Sequence, residues 1–89
     1  MDEMMRQRIY AALRSPDWTD AEKWVLKWQW QGALGLLGDF QEALAKAIIR
    51  ADEGNLTCLR LGFPHQVDGF LAWSRGGLAR RLRKAGVMD

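Results

Sequence analysis

Apolar residues in the first half of the chain return at helical spacing. Met1, Met5, Ile9, Ala12 and Leu13 form one stripe, which predicts an amphipathic helix from Asp2 to Arg14. Asp2 and Glu3 suit its positive end and Arg14 its negative end. Ser15-Pro16-Asp17 stops it, because proline restricts the residue before it and has no amide proton. A second helix is predicted over 20–37, DAEKWVLKWQWQGALGLL. Thr19 and Glu22 have the spacing of a capping box, and Gly38 suits the far end. Ala21, Trp24, Val25, Trp28, Gly32, Gly35 and Leu36 share one face of this helix. Leu26, Trp30, Ala33, Leu34 and Leu37 fill much of the opposite face. A helix apolar on two sides is buried on both, or buried on one and offered to a partner on the other. The glycines of GALGLLG predict a close crossing by a neighbouring helix.

The remaining pattern is also helical but more broken. Phe40, Leu44, Ala47, Ile48 and Ala51 predict a buried stripe on a third helix, Phe40 to Glu53, capped by Asp39 and stopped by Gly54. Asn55 then caps a short helix, Leu56 to Leu61. Pro64 starts another, running to Ser74. After Gly76-Gly77, a last segment from Leu78 to Ala85 turns Leu78 and Leu82 inward and Arg80, Arg81, Arg83 and Lys84 outward. No segment alternates as a strand does. The expected fold is all-α: one compact domain, 1–89, with five or six short helices around a central Trp-rich helix, 20–37.

Composition adds three constraints. At 89 residues the chain supports one modest core. Its apolar fraction of 48% excludes disorder over most of its length. Five Trp exceed what so small a core ordinarily holds, and Trp favours interfaces. Cys58 has no partner for a disulfide. Met1-Asp2-Glu3 does not open a signal peptide, and no apolar run approaches the ~20 residues of a membrane span. A cytoplasmic protein without membrane contact is the expectation.

Little here supports catalysis. His65 follows Pro64 in a first helical turn, where a surface role is expected. Cys58, within Leu-Thr-Cys-Leu, is expected as a small core residue. The glycine clusters do not follow strands, so no phosphate loop is present. The expectation is a protein that is not an enzyme, with no cofactor and no metal. Nucleic-acid binding has more support. RGGLARRLRK places Arg75, Arg80, Arg81, Arg83 and Lys84 close together with no acid among them, a pattern suited to phosphates. Protein binding has the most: surplus Trp and a two-sided helix. Its predicted contact face is Leu26, Trp30, Leu34 and Leu37, which would dock on another protein or on a second copy.

Two segments also resemble known sequences. WQWQGALGLLGDFQEALAKAI, 28–48, and ADEGNLTCLRLGFPHQVDGFLAW, 51–73, are similar to small proteins of temperate phages and prophages. The resemblance implies a phage-encoded accessory protein in the host cytoplasm. It would bind and inhibit a host protein, as anti-CRISPR and other anti-defence proteins do. It carries over no site residue.

Overall fold

The computed structural model describes residues 1–89 as seven helices and no strand. They are α1 (Glu3–Arg14), α2 (Asp20–Gln29), α3 (Gln31–Leu34), α4 (Asp39–Arg50), α5 (Glu53–Gly62), α6 (Pro64–Arg75) and α7 (Leu78–Lys84). The all-α expectation holds, but the number of helices is higher. The predicted helix over 20–37 is two pieces. Trp30 leaves helical geometry at φ −101°, ψ 12°, and Gly35 ends α3 in the left-handed conformation at φ 59°. Gln31 then fixes the turn that follows. Its Nε2 donates to the Leu37 carbonyl at 2.9 Å, and its Oε1 accepts from the Leu37 amide. A side-chain amide thus replaces the backbone partners that a continuous helix would have supplied.

Local capping explains the other boundaries. Asp2 Oδ1 accepts from the Met5 amide at 2.7 Å and starts α1. Both halves of the predicted capping box are present at α2: the Glu22 amide donates to Thr19 Oγ1, and the Thr19 amide donates to Glu22 Oε1. Pro64 is the first residue of α6, as predicted. The α4–α5 junction is not where it was expected. The chain turns at Ala51-Asp52, with Ala51 extended at ψ 138°, and Asp52 Oδ1 caps α5 through the Asn55 amide. Gly54, expected as a stop, lies in the first turn of α5. Asp39 is the first residue of α4 rather than its cap.

One core collects residues from every helix except α3. It includes Ile9, Val25, Leu26, Leu44, Ile48, Leu56, Val67, Leu78 and Leu82. α2 packs most extensively on α6. Trp24 is buried and its Nε1 donates to Gln41 Oε1 of α4 at 3.0 Å. Trp28 lies 5.9 Å from the Trp24 ring and 6.4 Å from both Phe70 and Trp73 of α6. The close crossing is set by Gly69, not by GALGLLG. A Cβ on Gly69 would stand 2.6 Å from the Ala21 carbonyl oxygen and 2.8 Å from Val25 Cγ2, whereas Gly32, Gly35 and Gly38 have open space. α6 carries its glycine where it meets the α2 backbone.

Glu22 also ties α2 to α7. Its Oε2 is 2.6 Å from Arg81, and its side chain is only 11% exposed. Burial raises the carboxyl's pKa. Hydrogen bonds from the Thr19 amide, Arg81 and the Thr19 hydroxyl, with the Arg81 charge, outweigh this and hold it below its ordinary 4.5. A carboxylate depressed in the folded state stabilises fully above the unfolded value. That contribution is lost as pH falls through the folded value. Glu22→Gln is therefore expected to destabilise by about 1.5 kcal/mol at neutral pH, since the half-exposed Arg81 can return to water. In urea melts the gap between variant and wild type should narrow as pH is lowered from neutral into the acid range. An equal gap at both pH values would show that the charge is not what Glu22 contributes.

Candidate protein-binding surface

The face predicted to meet a partner is largely covered by the chain itself. Leu26 is 1% exposed and Leu37 6%, and both belong to the core. Leu34 and Trp30 are half-buried and pack against that core. Trp30 Nε1 donates to the Val87 carbonyl at 2.8 Å. The cover is the segment after α7. Gly86 takes φ 77° and turns the chain back, the Val87 amide donates to the Leu82 carbonyl, and Val87 is buried. Leu26 and Leu37 are thus core residues of the single chain, while Trp30 and Leu34 keep part of their surface. On this side of the predicted helix the residues after α7 return to Trp30, and Ala33 stays exposed.

The basic segment is divided rather than continuous. Arg75 pairs with Glu53 at 2.6 Å, and Arg81 pairs with Glu22. Arg83 Nε donates to the Asp89 carbonyl at 2.9 Å. Arg80 and Lys84 have no ion pair and lie on the exposed side of α7. Two of the five predicted phosphate contacts are thus committed to carboxylates of this chain.

A different surface is open and apolar. α4 and α5 run as a hairpin from the Ala51-Asp52 turn, yet their backbones barely approach each other, and each leans on α6 instead. An open groove of about 360 Å³ lies between them, lined by Ala47, Arg50, Ala51, Asn55, Cys58 and Leu59. At the other end of the hairpin Phe40 packs on Phe63, ring centres 5.7 Å apart. Phe40 is nevertheless 63% exposed, and Leu61, one turn beyond Cys58, is 86% exposed. Ala47 and Cys58 are exposed as well.

Three residues read as core from the sequence, Phe40, Ala47 and Cys58, are therefore surface residues. α4 carries more apolar side chains than one stripe can hold: Leu44, Ala45 and Ile48 fill the buried side, so Phe40 and Ala47 face out. That excess was the available signal, and α5 repeats it with Leu56 buried while Cys58 and Leu61 are not. His65 is exposed. No group of three His, Cys, Asp or Glu side chains is placed to hold a metal ion. No helix is long and apolar enough to cross a membrane. Neither a protein-family model, nor a curated protein, nor a solved structure matches this chain.

Proposed function

We propose that this chain is a non-catalytic protein-binding protein whose contact surface is the α4–α5 groove. The observation that carries this reading is the open groove lined by Ala47, Ala51, Cys58 and Leu59, with Ala47 and Cys58 exposed and no acidic side chain in its lining. Exposed apolar clusters of this kind mark contact surfaces, because leaving them in water is unfavourable unless a partner covers them. The sequence resemblance adds a narrower expectation: the partner is a host protein, and the chain is a phage-encoded inhibitor of the anti-defence type.

Ala47→Glu tests the groove without touching the core, since Ala47 is exposed. Affinity capture from bacterial lysate should retain a protein on wild type that is lost on Ala47→Glu, with both proteins equally helical by circular dichroism. Arg80→Glu with Lys84→Glu should retain it. The second reading, nucleic-acid binding, rests on Arg75, Arg80, Arg81, Arg83 and Lys84, of which Arg80, Arg83 and Lys84 carry no ion pair. It requires affinity for DNA or RNA that falls steeply with salt and disappears in that double variant. Salt-dependent binding to nucleic acid, with nothing retained in an Ala47-sensitive way, would replace the protein-binding reading.

A further inference from the structure

The groove's shape and charge say what kind of partner segment it takes. Building on the protein-binding reading, we propose that it holds a short amphipathic α-helix of another protein, apolar along one face and carrying a carboxylate at the end that meets Arg50. The lining runs from Ala47 to Ala51 on α4 and from Asn55 to Leu59 on α5, about 6 Å of each helix at 1.5 Å per residue, enough to seat one to two turns of a partner helix. The walls are low, with Ala47, Ala51 and Cys58 on the lining. Low walls let a cylinder seat between two others, as in the helix-in-groove mode of recognition.

Charge sets the polarity of the occupant. Arg50 is the only charged residue in the lining, and it makes no ion pair. The carboxylates that follow it are engaged elsewhere: Asp52 caps the Asn55 amide and Glu53 pairs with Arg75. Asn55, Cys58 and Leu59 make the α5 side of the lining uncharged. An apolar channel with one free guanidinium at its end favours an acidic residue there and disfavours a basic one.

Size argues against a second copy. A stable interface uses about 20–30 residues a side. The groove's lining supplies six.

The test uses the full chain and a displayed library of twelve-residue helical peptides. Stripe positions vary among Leu, Ile, Met and Phe, and terminal positions among Glu, Gln and Lys. Wild type should enrich Glu at one end. Arg50→Glu should shift that end to Lys, with at least a tenfold reversal of preference in affinity. Enriched peptides should slow maleimide labelling of Cys58 and fail to bind Ala47→Glu. Peptides that bind both variants unchanged would place binding elsewhere and overturn the groove while leaving a protein-binding role. Self-association in sedimentation, lost in Ala47→Glu, would make the occupant a second copy and overturn the proposal. If no peptide is enriched but lysate capture remains Ala47-sensitive, the helical occupant is wrong and the binding role stands. If neither is seen, both readings fall.

Discussion

Gly69→Val should destabilise this protein by about 3 kcal/mol or more, although valine is the better helix former. Adding a Cβ puts it 2.6 Å from the Ala21 carbonyl oxygen and 2.8 Å from Val25 Cγ2. The carbonyl belongs to the α2 backbone and cannot rotate away, so the two helices must separate. α2 on α6 is the most extensive pairing in the fold, and Trp28 with Phe70 and Trp73 packs across it. Overpacking a tight core costs about 1–3 kcal/mol, and more where backbone must shift. For Gly69→Ala the helix-propensity gain of about 1 kcal/mol recovers part of this, leaving a loss of about 1–2 kcal/mol. Gly32→Ala is the control, because nothing lies within 4 Å of the point its Cβ would occupy. It should be neutral or stabilising by up to about 1 kcal/mol. Urea melts followed by circular dichroism read all three. A Gly69→Val protein as stable as wild type would show that the helices do not meet there.

Leu26→Ala carries the second large effect. Leu26 is 1% exposed among core side chains from six helices. Truncating it removes apolar contact and leaves a cavity, a loss of about 2–5 kcal/mol. Total stability for 89 residues is roughly 4–13 kcal/mol, so the variant is expected to be marginal at 37 °C or below. Had Leu26 been a contact residue on an open face, the same change would have left the melt almost unmoved and weakened only partner binding. A drop under about 1 kcal/mol would return Leu26 to the surface.

What could be read in advance was mostly local. Thr19 with Glu22 and Pro64 announce helix starts because their effects depend on neighbours three or fewer residues away. The break inside 20–37 was not legible, since Trp30 has no residue-type reason to leave helical geometry. Its indole bonds to Val87, 57 residues along the chain. The α4–α5 junction was misplaced because Asp52 and Asn55 are both good caps, and Asp52 takes the position. GALGLLG misleads for a related reason. Spacing shows which glycines cluster, but only the tertiary arrangement shows that Gly69 faces the α2 backbone. The candidate groove depends on two consecutive helices diverging, which no pattern within either helix encodes. Its residues were visible only as a surplus of apolar positions assigned to the core.

The bond between Trp30 and Val87 also orders events during synthesis. The two residues lie 57 positions apart, and a ribosome adds roughly 5–20 residues per second. For several seconds, then, Trp30 lacks its Val87 partner. α1 and α2, at 12 and 10 residues, are marginal as isolated helices, and α2 lacks both α6 and the Val87 contact until those residues follow. Chains stalled before Val87 should hold their helices loosely, with Trp30 in water. They should be bound by chaperones that a chain containing Val87 no longer engages.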